Sequence, residues 1–109
     1  MTTEAALREL VPGLLGIYGE LIDSVILYGS AACGTQTDES DVDVAVILRS
    51  GVTSEMNERM LDMVVDLELA CDKVLSVVRI DRDRFLEWEA TLPFYRNIRK
   101  EGVVLWPAA

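Results

Sequence analysis

A small α/β fold is predicted for this chain, with a mixed sheet and helices packed mainly on one of its faces. Three observations carry that expectation. Short β-branched runs at 24–28, 41–48 and 74–80 alternate with segments whose apolar residues recur at helical spacing. The clearest run, DVDVAVIL at 41–48, sets Val42, Val44, Val46 and Leu48 on one side and Asp41, Asp43, Ala45 and Ile47 on the other. The chain has 109 residues, 50% of them hydrophobic and 27% charged, which suits one folded domain over 1–109.

The elements follow in order. Leu7, Leu10, Leu14, Ile17 and Leu21 form an apolar stripe that predicts a helix over 3–20, with Pro12 and Gly13 expected to kink or restart it. SVILY at 24–28 is a buried strand, closed by Gly29. A brief helical turn is expected at 30–33 and a polar loop at 34–40, before the strand at 41–48. Thr53 or Ser54 can cap a helix reaching Cys71, its buried face drawn from Met56, Met60, Met63 or Val64, Leu67 and Cys71. A third strand is expected over 74–80. Asp81 then starts a helix carrying Phe85, Leu86 and Trp88, with Trp88 and Trp106 expected to anchor in the core. Pro93 restarts a basic helical segment, Gly102 ends it, and 103–106 adds an edge strand.

Composition removes several classes of function. Lysine and arginine total 10 against 19 acids, a formal charge of -9, which opposes tight sequence-independent binding to nucleic acid. With 0 histidines, histidine-based zinc sites, Ser-His-Asp triads and imidazole acid–base catalysis are excluded. The two cysteines, Cys33 and Cys71, cannot make a four-thiolate zinc site, and Cys33 has no neighbouring base to activate it. No membrane segment or signal-like start is evident, so a cytoplasmic protein is expected. Charge is also uneven: residues 1–78 hold 4 basic and 14 acidic residues, whereas 79–100 hold 6 basic and 4 acidic.

Carboxylates are therefore the available chemistry. Asp41 and Asp43 stand two apart on a strand, hence on one face and roughly 6.5–7 Å apart along the backbone. Like charges held that close repel, and a divalent cation with a taste for hard oxygens, magnesium above all, relieves the repulsion while linking carboxylate to phosphate. A solvated strand entrance is the plain alternative. Gly29 and Ser30 sit just after the preceding strand, where a side-chain-free backbone and a hydroxyl can donate to phosphate oxygens. Neither a GxxxxGK[ST] loop nor a GxGxxG fingerprint occurs.

Taken together, residues 29–43 read GSAACGTQTDESDVD. The stretch resembles the signature of the minimal nucleotidyltransferase domain of the DNA polymerase beta-like superfamily, with Gly29, Ser30, Gly34, Ser40, Asp41 and Asp43 at matching positions. The likeness extends in outline over 7–106, and PFYRNIRKEGVVLW at 93–106 is similar to the closing segment of small stand-alone members. The resemblance implies that Gly29 and Ser30 contact a nucleoside triphosphate, ATP being expected, and that Ser40 belongs with the nucleotide-binding candidates. It further implies that Asp41 and Asp43 hold Mg2+ and act in catalysis. Many such small proteins are encoded beside a helical HEPN-type partner, and some act as antitoxins by transferring AMP to a tyrosine of that partner.

One departure stands out. The pattern places Ser76, a neutral side chain, where active members commonly carry a third carboxylate. Glu68, Asp72 and Asp81 are nearby acids in the sequence, each expected to be a solvated surface group. A catalytically impaired relative that scaffolds a partner, or a nucleotide sensor, therefore competes with the transferase reading. Arg96 and Arg99, with Lys100, form a basic patch available to triphosphate, acceptor RNA or an acidic partner, while Phe94 and Tyr95 are expected to serve packing. So short a chain leaves the acidic face open. A partner protein or a second copy forming a homodimer is expected to complete it.

Overall fold

The computed structural model describes residues 1–29 and 41–107; the expected turn at 30–33 and loop at 34–40, with Ser30, Cys33, Gly34 and Ser40, lie outside the described residues. The elements are helix α1 (Thr3–Tyr18), a 3-10 turn (Gly19–Leu21), strands β1 (Ile22–Tyr28) and β2 (Val42–Leu48), helix α2 (Ser54–Cys71), strand β3 (Leu75–Asp81), helices α3 (Arg82–Trp88) and α4 (Pro93–Glu101), and strand β4 (Val103–Trp106).

The helix starts follow local chemistry, a side chain taking up free amides at three of them. Thr2 Oγ1 accepts from Ala5 N at 3.1 Å, and Thr53 Oγ1 accepts from Met56 N at 3.2 Å. Asp81 caps α3, its Oδ1 accepting from Asp83 N at 2.9 Å and Arg84 N at 3.4 Å. Pro93 occupies the first turn of α4, where its missing N–H costs nothing. Pro12 does not break α1, contrary to expectation: it sits on the exposed side of the helix, as does Arg8, the residue whose carbonyl would otherwise bond residue 12. Gly13 has a packing role at the same point, because a Cβ there would overlap the Met63 sulfur of α2.

The four strands order as β3-β2-β1-β4. β1 runs antiparallel to both β2 and β4, and β2 runs parallel to β3, so the sheet is mixed. The alternation in β2 splits the core in two. Val42, Val44, Val46 and Leu48 join the larger cluster under α1 and α2, with Leu10, Leu14, Met60, Val64 and Leu67. Ala45 and Ile47 join a smaller cluster under α3 and α4, with Ile26, Ile80, Phe85 and Ile98.

Two expectations shift in detail. The buried stripe of α1 runs through Ala6, Leu10, Leu14 and Tyr18, one ridge over from Leu7, Ile17 and Leu21, which are half-buried at its flank. Trp88 is 41% exposed rather than a core anchor, because Phe85, one turn earlier in α3, takes the inward seat at 2%. Trp106 does pack against the larger core. Among the described residues no helix is long and apolar enough to cross a membrane.

Candidate active site

Among the described residues, the cluster under α3 and α4 takes up the second face of β2 from Ala45 onward, and Asp43, half-buried, lies at the strand's start. Sheet register sets its neighbours: Tyr28 of β1 pairs with Asp43, and Asp43 pairs with Ser76 of β3. In-register residues share a face, so Tyr28, Asp43 and Ser76 form a line across three strands. Asp41 is exposed just before β2, and its charge reaches Asp43.

Strand geometry alone holds Asp43 close to Gly29. Gly29 has φ +73°, the left-handed region that glycine adopts without strain, and it ends β1 beside the acid. A Cβ built on Gly29 would stand 2.5 Å from Asp43 Oδ2. The carboxylate therefore occupies the space that any side chain at position 29 would need.

The electrostatics are those of two neighbouring acids. Burial, and then the charge of Asp41, push the Asp43 carboxyl above its ordinary range. Burial, and then Asp43, push the Tyr28 phenol up as well. Neither Asp41 nor Asp43 has an ion-pair or hydrogen-bond partner among the described residues. Tyr28 was missed by sequence reasoning, which saw only the end of an apolar run; its place beside Asp43 follows from antiparallel register. The α4 helix also reaches this corner, because the Phe94 ring meets Tyr28 edge-on at 5.7 Å and Tyr95 at 5.7 Å. Phe94 is 46% exposed, whereas Tyr95 packs edge-on against Phe85 as expected of a core residue.

The other candidate residues have surroundings of their own. Arg96 is exposed on α4, and Arg99 Nε lies 3.5 Å from Glu89 Oε2, so that guanidinium already has an anionic partner. Glu68 Oε2 accepts from Leu75 N at 3.2 Å on the α2 side, Asp81 caps α3 at the far end of β3, and Asp72 ends α2 with φ 54°. None of the three stands in register with Asp43, and Ser76 holds that position. Among the described residues there is no cluster of three or more metal-ligating side chains.

Two carboxylates on one open face nevertheless fit a hydrated divalent ion, which needs only one or two protein carboxylates when water and phosphate complete its shell. A cation there would relieve the repulsion that raises the Asp43 pKa.

Comparison with known proteins decides the family. A family model described as polymerase beta, nucleotidyltransferase, matches residues 18–108. The chain belongs to the polymerase beta nucleotidyltransferase family. Among relatives of this nucleotidyltransferase is a Methanocaldococcus jannaschii protein named as a candidate protein adenylyltransferase, 28% identical over 107 residues, covering 97% of this chain and 100% of the relative. Solved structures share its fold. A mutant of the toxin–antitoxin complex MntA-HpeT superposes with TM-score 0.58 at 18% identity, covering 94% of this chain and 73% of that one. A toxin–antitoxin complex with AMP-PNP gives 0.56 at 20% identity, covering 93% and 73%. A candidate nucleotidyltransferase from Sulfolobus solfataricus gives 0.54 at 22% identity, covering 94% and 78%.

Proposed function

We propose that this nucleotidyltransferase moves AMP from ATP to a hydroxyl of a partner protein, as the antitoxin half of a cytoplasmic toxin–antitoxin pair with a HEPN-type partner. The observation that carries the reading is the Asp43 carboxylate seated against Gly29, within reach of the Asp41 charge. Like charges, a glycine turn and an open strand entrance make a site for a metal–phosphate unit. The M. jannaschii relative's name supports the acceptor class, and the AMP-PNP in one structural neighbour supports the donor. The mutant MntA-HpeT complex carries aspartate-to-glutamate changes two positions apart, the spacing of Asp41 and Asp43.

Asp41 and Asp43 would hold Mg2+, which when bound neutralises the phosphate chain and sharpens the α-phosphorus as an electrophile. The Gly29 backbone lets the triphosphate approach, with Ser30, Ser40 and Arg96 as further nucleotide-binding candidates. The acceptor oxygen bonds to the α-phosphorus, the bond to the β-phosphate breaks, and pyrophosphate leaves. Since Ser76 cannot take the acceptor's proton as a carboxylate would, that proton passes to another group or to solvent.

The test is transfer of label from α-phosphate-labelled ATP to the partner encoded beside this chain, with magnesium present. Label on the partner, lost in Asp41→Asn and in Asp43→Asn, supports the reading. Tight complex formation without any transfer defeats it and favours a second reading, that of a partner-binding scaffold, for which the neutral Ser76 beside Asp43 is the specific observation.

A further inference from the structure

The outer face of α2 is built to receive something. Its inner face, Met60, Val64, Leu67 and Cys71, is consumed by the core. On the outer side Leu61, Val65 and Leu69 recur every four residues and are 54%, 50% and 80% exposed. They make an apolar ridge about 12 Å long. Glu58, Asp62 and Asp66 form the adjacent ridge with the same spacing, and all three are exposed. Acids four apart repel and weaken a helix by a few tenths of a kcal/mol per pair, so this row is a local cost. Arg59 is the single basic residue of α2.

A third feature adjoins the acid ridge. A groove of about 420 Å³ runs between α1 and α2, lined by Gly13, Gly16, Ile17 and Met63 with Asp62, Asp66 and Arg59 around it, two acids to one base. An apolar base below two carboxylates, which outnumber the single Arg59 guanidinium, suits the aliphatic stem of a lysine or arginine with its head at the acids. Apolar ridge, acid ridge and groove thus lie side by side.

From this juxtaposition we infer that α2 docks a helix of a partner protein that carries a ridge of Lys or Arg beside a ridge of Leu or Ile. The partner's cationic side chains enter the α1–α2 groove while its apolar ridge covers Leu61, Val65 and Leu69. Charge selects this occupant over a second copy: two such faces would set acid against acid, in a chain of net charge -9. The surface is separate from the Asp41–Asp43 site, and its function does not depend on transfer chemistry.

The test uses the full chain and two stapled helical peptides of 18 residues, the length of α2. One has leucines and lysines on adjacent ridges, and the other permutes the same residues. The patterned peptide is expected to bind about tenfold or more tightly, with amide shifts confined to 58–70 and 13–17, and to weaken with salt. Val65→Glu with Leu69→Glu, and separately Asp62→Lys with Asp66→Lys, should each lower affinity about tenfold. These positions are exposed, so thermal melting will show the variants folded. Asp41→Asn should leave binding intact, which separates this surface from the proposed transfer site. Equal binding of the two peptides, or unchanged affinity in Val65→Glu with Leu69→Glu, overturns the inference. So does a sedimentation dimer that Leu69→Glu dissolves, because it assigns the face to a second copy.

Discussion

The two ends of β2 treat charge in opposite ways. At its exit, Arg49 donates to the carbonyls of Glu20 at 2.7 Å and Ile22 at 3.0 Å, and to Asp23 Oδ1 at 3.3 Å, while Arg82 Nε reaches the same oxygen at 3.0 Å. Every charge in that network has a partner, and it ties the 3-10 turn to the sheet. At its entrance, Asp41 and Asp43 have no ion-pair partner among the described residues, and the Asp43 pKa is raised by burial and by the neighbouring Asp41 charge. Paired charge at the exit holds the fold together; like charge at the entrance is where the proposed metal would supply the counterion.

Substitutions at the entrance should have the largest effect. Asp41→Asn or Asp43→Asn should lower magnesium-dependent AMP transfer by about 100-fold or more while leaving the circular dichroism spectrum unchanged. At the exit the effect should be purely structural. Arg49→Ala removes three charge-assisted contacts on a half-exposed side chain and should cost ~1–2 kcal/mol, read as a lower midpoint in urea with no change in nucleotide affinity. Gly29→Ala tests how closely the glycine and the acid are matched. It should destabilise by ~1 kcal/mol and weaken ATP binding, because the new methyl drives Asp43 from its position. Ser76→Asp adds a third carboxylate in register with Asp43, so magnesium affinity should rise by roughly tenfold while metal-free stability falls by less than about 1 kcal/mol.

The smallest effect concerns Asp43 alone. Its folded-state pKa lies above the unfolded one, so its contribution is fully present below the unfolded pKa and is lost as pH rises through the folded pKa. Without metal, Asp43→Asn should therefore melt slightly higher than the parent near neutral pH, by less than about 1 kcal/mol, and the gap should close on acidification. Thermal melts in a chelating buffer across that range measure it.

Much of this organisation is legible in the residues alone. The β2 alternation places Asp41 and Asp43 on one face, and Thr53, Asp81, Pro93 and Gly102 mark helix ends, because caps and strand period are local rules. Pro12 misleads because its cost depends on whether the residue 8 carbonyl sees water, a property of exposure. Trp88 misleads because Phe85 and Trp88 share a short helix, and only packing decides which one turns inward.

The sequence by itself determined the period of each element, the paired acids and the glycine that ends β1, since these follow from spacings of two, three and four residues along one chain. Tertiary structure alone decided that Tyr28, Asp43 and Ser76 share a line, that Gly29 leaves room for a carboxylate, and that the outer ridge of α2 goes uncovered. Those depend on strand register and on which faces meet, and both are set by contacts between residues tens of positions apart.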